Sequence, residues 1–321
     1  MLRDRFNRDV TYLRVSVTER CNFRCQYCMP EKPFSWLPKE NLLSYEDLFS
    51  FIQIGIDHGI NKIRITGGEP TTRDDLDKLI KMITEYAPDV DIGLTTNGYL
   101  LAGIANRLKE AGLKRINISL DSLQPETMHF ITKKDVFDKV MEGIQKAVSV
   151  GMKVKINSVI MKNINEDEIV SLFEFAKSIG AQIRYIEFME NSFAQQQIQG
   201  YTSEEILAVL AKKYVFSQKN SSEQGPATLY ETTDGYTFGT IEPHKHDFCA
   251  TCNRLRLSAE GDLIPCLYFD EALSIKDAIR DKDFHQVQKI LNTVVENKPE
   301  KNRWNTQDNE SSVRAFYHTG G

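Results

Sequence analysis

Six β-rich runs alternate with helical patterns through the first two-thirds of the chain, and this alternation restricts the fold more than any other feature. The runs cover residues 12–18, 62–66, 90–95, 114–120, 153–161 and 182–189. Ser44-Tyr45-Glu46-Asp47 forms a capping box ahead of Leu48, Ile52 and Ile56. Asn165 stands where a helix cap is expected, before Ile169, Leu172, Phe173, Ala176 and Ile179, with Gly180 at the stop. Gly112 and Gly151 end two further helices. Repeated strand–helix units predict an α/β fold with a parallel sheet inside and helices outside. Eight units and about 250 residues would close a TIM barrel. Six units ending at residue 189 predict an incomplete barrel, open along one side and covered there by the C-terminal part. A polar, Gln-rich stretch at 191–200 sets the expected boundary between domains 1–195 and 196–321.

In such barrels chemistry collects where the strands end. The strand exits here read Thr66-Gly67-Gly68-Glu69-Pro70, Thr95-Thr96-Asn97-Gly98, Ser119-Leu120-Asp121-Ser122 and Glu187-Phe188-Met189-Glu190-Asn191. Ordinary loops use the same residues. What points to function is Cys21, Cys25 and Cys28, a C-x3-C-x2-C triplet after the first strand, at the same rim. Three thiolates so spaced can hold three irons of a [4Fe–4S] cube and leave the fourth for an outside ligand. A structural zinc knuckle or three core cysteines compete with that reading. Zinc sites usually pair two C-x2-C units or add histidine, and the nearest histidine is His58.

Cys249 and Cys252 form a C-x2-C, and thirteen residues separate Cys252 from Cys266. Between them, Glu260-Gly261 reads as a two-residue hairpin turn that sets Leu255 opposite Cys266. Alternation puts Arg254 and Arg256 on one face and Leu255 and Leu257 on the other. Two guanidiniums beside a metal suit a polyanionic substrate, although a solvated edge strand gives the same pattern. His244 and His246 offer a rival four-ligand zinc site with Cys249 and Cys252, leaving Cys266 as a buried thiol. Thr202-Ser203-Glu204-Glu205 opens another helix, residues 216–227 read as an exposed loop, and Asp234-Gly235 as a second hairpin turn.

A net charge of −5 and a pI near 5.8 leave no broad basic surface, so no nucleic-acid partner is expected. No run is long and apolar enough for a membrane span. Six cysteines in two triplets, with no export signal, fit metal binding in a reduced cytoplasm better than disulfides.

These features together resemble the radical S-adenosylmethionine (SAM) superfamily over nearly the whole chain. C-x3-C-x2-C is its cluster motif, and Gly67-Gly68-Glu69-Pro70 resembles the segment that meets the SAM amino group. The second triplet, Asn253-Arg254-Leu255-Arg256-Leu257, the terminal Gly320-Gly321 and Arg14-Val15-Ser16-Val17-Thr18-Glu19-Arg20-Cys21 are more specific. They resemble the GTP 3′,8-cyclase family, which opens molybdenum cofactor (molybdopterin) biosynthesis. The resemblance implies an incomplete six-unit (β/α) TIM-type barrel with a C-terminal α+β domain carrying a second Fe–S cluster. It implies two [4Fe–4S] clusters, on Cys21, Cys25 and Cys28 and on Cys249, Cys252 and Cys266. Tyr27, Gly68, Ser119 and Met189 match SAM-contacting positions. Arg14, Arg64, Thr95, Lys155, Arg184, Arg254, Leu255 and Arg256 match GTP-contacting positions, and Gly320 and Gly321 a tail that reaches the site.

The implied lyase reaction cleaves SAM to a 5′-deoxyadenosyl radical, which takes hydrogen from C3′ of GTP. C3′ then closes onto C8, giving (8S)-3′,8-cyclo-7,8-dihydroguanosine 5′-triphosphate. Implied partners are GTP, an electron donor and the downstream cyclic pyranopterin monophosphate synthase, with room for a homodimer. Three segments depart from the family pattern: Thr71-Thr72-Arg73-Asp74, Glu190-Asn191-Ser192-Phe193 and His244-Lys245-His246-Asp247. A radical SAM peptide maturase with an auxiliary cluster is the enzymatic alternative, and a non-enzymatic zinc-binding module the other.

Overall fold

In this computed structural model the described residues are 1–30, 36–191, 194, 198–219, 225–243, 249–301 and 315–320. His244, His246, Ser192, Phe193 and Gly321 lie outside them.

Six parallel strands pair in sequence order: β1 (Tyr12–Ser16), β2 (Lys62–Thr66), β3 (Asp91–Thr96), β4 (Arg115–Ser119), β5 (Lys153–Val159) and β6 (Gln182–Ile186). Between them run α1 (Tyr45–Asp57), α2 (Leu76–Tyr86), α3 (Leu101–Glu110), α4 (Pro125–Thr132), α5 (Phe137–Ser149) and α6 (Ile169–Ser178). The expected capping box starts α1, with Ser44 Oγ accepting from the Asp47 amide at 3.0 Å. A strand's period of two divides each of β1 to β6. Leu13 and Val15, Ile63 and Ile65, Ile92 and Leu94, Ile116 and Ile118, Val154 and Ile156, and Ile183 and Tyr185 are buried in the main apolar core. The alternate residues are mostly polar, with Val159 and Ile186 as apolar exceptions, and most of them line two cavities inside the sheet's curve.

The C-terminal part does not lie across the gap as a separate cover. Its strands lengthen both margins of the sheet. After α7 (Ser203–Ala211) come β7 (Phe216–Gln218), β8 (Ala227–Thr232) and β9 (Thr237–Ile241), and β9 runs parallel to β6. At the other margin β10 (Arg254–Leu257) runs parallel to β1 and is followed by β11 (Asp262–Ile264) and β12 (Leu273–Ser274). One twelve-stranded sheet results, ordered β12-β11-β10-β1-β2-β3-β4-β5-β6-β9-β8-β7. The helices α8 (Lys276–Arg280), α9 (Phe284–Glu296) and α10 (Phe316–Thr319) complete the chain. No helix among the described residues is long and apolar enough to cross a membrane.

Three expectations need correction. In the β10–β11 hairpin Arg256 pairs with Ile264 and Leu257 with Leu263, so Arg254, not Leu255, stands opposite Cys266. The loop is three residues, 259–261, ending on Gly261 at φ +106°, because a type I turn closed by a left-handed glycine needs one residue more than a two-residue turn. The β8–β9 hairpin does the same with Gly235 at φ +84°. The stretch expected as a loop from 216 contains β7, whose partner is β8. Asn165 stands at the N-cap position of a 3-10 turn (Glu166–Glu168) that leads into α6 at Ile169, but its side chain makes no capping bond. The Asn165 side chain instead accepts from the Met161 amide (2.7 Å) and donates to the carbonyls of Asp121 (2.6 Å) and Val159 (3.0 Å). A fully buried amide that satisfies three backbone groups at two strand exits does more there than a cap would.

The N-terminal segment ties the halves together. Arg8 and Asp4 form a buried ion pair (2.6 Å, side chains 7% and 0% exposed), and Arg8 also donates to the carbonyls of Cys249, Pro299 and Glu300. Asp4→Ala should strand that guanidinium and lower stability by about 3–5 kcal/mol. Urea unfolding checks this, and a loss under about 1 kcal/mol would show that Arg8's carbonyl partners suffice.

Candidate active site

The two cavities lie one above the other inside the sheet's curve. The upper, about 230 Å³, sits where β1 to β6 end, and Cys21, Cys25, Cys28, Tyr27, Gly68, Ser119 and Met189 all border it. The lower, about 710 Å³, is bordered by Arg14, Arg64, Thr95, Lys155, Arg184, Arg254, Arg256 and all three cysteines of the second triplet. Thr95, Asn157, Ile186 and Met189 belong to both walls, so the cavities adjoin. Leu255 is the exception among the expected residues: its side chain is 1% exposed in the apolar core.

The first triplet sits on a loop held from two sides. The Gly68 amide donates to the Thr18 carbonyl and the Glu69 amide to the Arg20 carbonyl, each at 2.8 Å, which ties the exit of β1 to that of β2. Backbone bonds from Arg24 to Thr132 and from Gln26 to Ile131 fasten the loop to α4. None of the six cysteines is in a disulfide. Burial, with Glu69 nearby, pushes Cys21 up to about 12, and burial pushes Cys28 up to about 12 and Cys25 well up. Such thiols ionise only against a cation, which is what a metal centre provides. Among the described residues no three Cys, His, Asp or Glu side chains converge on one metal position. A [4Fe–4S] cube binds each thiolate to a different iron and needs no such convergence, so this donor set fits a cube better than a single zinc.

Around the upper cavity the polar groups are braced. Glu69, 1% exposed, accepts from the Thr71 amide and hydroxyl, Thr96 Oγ1 and the Asn97 amide, while burial still raises its pKa. Tyr27 donates to Asp121 at 2.7 Å, and burial raises Asp121 to about 6 against that bond and one from the Val159 amide. Two of the departing segments act as braces here. Arg73 donates to the carbonyls of Val17 and Leu43 (both 2.7 Å), and Asn191 donates to the Tyr27 carbonyl at 3.0 Å.

The lower cavity is built on sheet register. Arg14 pairs with Arg64 on one side and Arg256 on the other, so three guanidinium-bearing residues stand in a row across β10, β1 and β2. The next row is Arg254, Tyr12 and Lys62. Gly93, opposite Arg64, leaves room for it: a Cβ there would lie 2.3 Å from Arg64 Nη1. Like charges side by side repel. Burial, with Arg14 and Arg254, lowers Arg256 to about 9. Burial alone would raise Tyr12, but Arg64 and Arg14 outweigh it and bring the phenol down to about 6. Cys252, which burial would raise, is likewise drawn down to about 6 by Arg254 and Lys298.

The C-terminal tail enters between the cavities. Arg14 donates to the Gly320 carbonyl, and Arg256 donates to the carbonyls of Thr319 (3.3 Å) and Gly320 (3.2 Å). His318 pairs with the buried Glu19 at 2.9 Å, and Tyr317 packs edge-on against Trp36. Gly320 takes φ +67°, and a Cβ on it would lie 2.1 Å from Thr66 Cγ2. Only glycine fits both demands. Sequence reasoning passed over Tyr12, Asn117 and Asn157, all in the lower wall. Each stands two residues from an identified position (Arg14, Ser119 and Lys155), so extending the strand alternation by one step would have found them.

Comparison with known proteins places this architecture. A family model described as the radical SAM superfamily matches residues 15–176, and one described as Molybdenum Cofactor Synthesis C matches residues 181–304. Curated proteins named GTP 3′,8-cyclase are similar end to end. That of Aliarcobacter butzleri is 59% identical, that of Sulfurimonas denitrificans 57% and that of Campylobacter jejuni (strain RM1221) 56%, each covering 100% of both chains. The chain belongs to the GTP 3′,8-cyclase family of radical SAM enzymes. Membership in this family agrees with the fold. The crystal structure of Streptococcus suis SuiB bound to S-adenosylmethionine superposes with a TM-score of 0.64 at 17% identity, over 84% of this chain and 64% of that one.

Gly320→Ala should displace the tail. Amide hydrogen exchange should then accelerate at residues 317–319, at least tenfold for a contact worth about 1.4 kcal/mol. Unchanged protection would mean that the tail accommodates a side chain.

Proposed function

We propose that this chain is a GTP 3′,8-cyclase, a lyase acting at the first step of molybdenum cofactor biosynthesis. The observation that carries the reading is the row Arg256, Arg14 and Arg64 in the wall of the lower cavity, with Arg256 and Arg64 buried and Arg14 half-buried between them. Three guanidiniums side by side in an acidic protein call for a polyanion such as a nucleoside triphosphate. A peptide brings only single carboxylates to such a row, whereas a triphosphate brings several negative charges on adjacent groups, which sets the cyclase reading above a peptide maturase of the same fold.

In this reading residues 1–195 hold the first [4Fe–4S] cluster on Cys21, Cys25 and Cys28, with SAM against Tyr27, Gly68, Ser119 and Met189. Residues 196–321 hold the second on Cys249, Cys252 and Cys266. When bound, the first cluster and SAM would supply the radical that takes hydrogen from C3′ of GTP. Closing C3′ onto C8 then leaves an unpaired electron on the guanine, which one electron from the donor and a proton would remove to give the 7,8-dihydro product. The chain's own residues orient and enclose. Arg14, Arg64, Lys155, Arg184, Arg254 and Arg256 hold the triphosphate, and their rigid strands aim it. Thr95, in both walls, stands where the two ligands meet. The tail, whose Thr319 and Gly320 carbonyls hold Arg14 and Arg256, gives way to the phosphates on those two arginines. An electron donor, the downstream cyclic pyranopterin monophosphate synthase, a cytoplasmic setting and a homodimer belong to the same proposal.

Anaerobically reconstituted, reduced protein should form 5′-deoxyadenosine with strong dependence on GTP, together with the cyclised nucleotide. GTP-independent cleavage without a nucleotide product would overturn the cyclase reading. Cys25→Ser should abolish SAM cleavage, and retained cleavage would remove the first triplet from the cluster. Arg256→Ala should weaken GTP binding tenfold or more, the loss of a charge-assisted bond worth about 1.5–3 kcal/mol, with iron content unchanged. Equal affinity would take Arg256 out of the site.

A further inference from the structure

Lys298, just beyond α9, is the one lysine in the buried class among the described residues, at 2% exposure. Its ammonium has two partners, the Pro265 carbonyl at 2.8 Å and the Cys252 sulfur at 3.5 Å. No carboxylate pairs with it among the described residues. A buried cation is costly unless an anion answers it, and since the Pro265 carbonyl is neutral the answering charge has to come from the triplet, on the Cys252 side. A cube held by three thiolates carries net negative charge, and Cys252 would be one of its ligands. We propose that Lys298 is the counter-cation of the second cluster, donating to the Cys252 sulfur and raising the cluster's reduction potential. This rests on the assignment of Cys249, Cys252 and Cys266 as cluster ligands.

The surroundings are built for that role. Lys298 bridges the two arms of the triplet: Cys252 belongs to one, and Pro265 precedes Cys266 on the other. Arg8 holds the adjoining backbone, binding the Pro299 and Glu300 carbonyls together with that of Cys249. Arg254 also faces the cluster position but lies in the cavity wall, where a substrate competes for it. Lys298 lies behind the triplet, outside that wall, so it stays with the cluster whether or not substrate is bound. Cationic hydrogen-bond donors at cluster sulfurs favour the reduced, more negative state.

The test uses the full chain carrying Cys21→Ala, Cys25→Ala and Cys28→Ala, so that only the second cluster is loaded. A [4Fe–4S] signal with matching iron and sulfide supports the ligand assignment, and its absence with Lys298 intact would overturn that assignment. An EPR-monitored dithionite titration then compares Lys298→Met, Lys298→Gln and Lys298→Arg. Neutral replacements should shift the midpoint to more negative potential or lose the cluster, while arginine keeps both near the parent values. Should the methionine variant fail to fold, the glutamine variant, which retains a donor without the charge, decides. An unchanged midpoint at full occupancy in a neutral variant would overturn the proposal. So would equal loss of the cluster with arginine.

Discussion

Everything in this molecule depends on what the period of two places inside the sheet's curve. Barrels of this kind usually fill their interior with branched apolar side chains. Here most apolar residues of β1 to β6 go to the helix side, and the inward positions, Val159 and Ile186 apart, are mainly polar or charged. Such a set cannot pack into a dry core, so the interior stays hollow. The cavity is thus a direct result of strand composition, and the helix-side core supports the fold while the interior is left to ligands.

The second dependence is electrostatic. Strand register forces Arg256, Arg14 and Arg64 into one row, where each disfavours its neighbours' charge. The fold answers with a lowered tyrosine, the carbonyls of the tail and a cysteine drawn toward thiolate. Even with Tyr12 and Cys252 ionised and Asp89 and Asp91 in the wall, basic side chains outnumber acidic ones in the described lining of this cavity. A site that is under-neutralised by its own groups favours ligands that bring negative charge with them.

Much of this was legible in the sequence. The six strands, the capping boxes at Ser44 and Thr202, both cysteine triplets and the cationic strand residues follow from local pattern. What was not legible was nonlocal. That β9 and β10 join the barrel's margins depends on pairing between distant segments. The hairpin at Gly261 slipped by one residue because two- and three-residue loops share the same Gly signal and differ only in backbone geometry. Asn165 followed every rule for a cap, yet burial gave it better partners. Nothing in the polar text around Asn297-Lys298-Pro299 announces a buried lysine.

The pairing of β10 with β1 has one more consequence. Cys21 comes five residues after the last residue of β1, while Cys252 comes two residues before Arg254, the partner of β1's first residue Tyr12. A single strand of five residues, about 16 Å at the usual rise, therefore stands between the two metal-binding ends. The spacing works as a ruler cut into the sheet. Changing the length of the linkers around it would leave the ruler unaltered, and bringing the two ends closer would require shortening β1 itself.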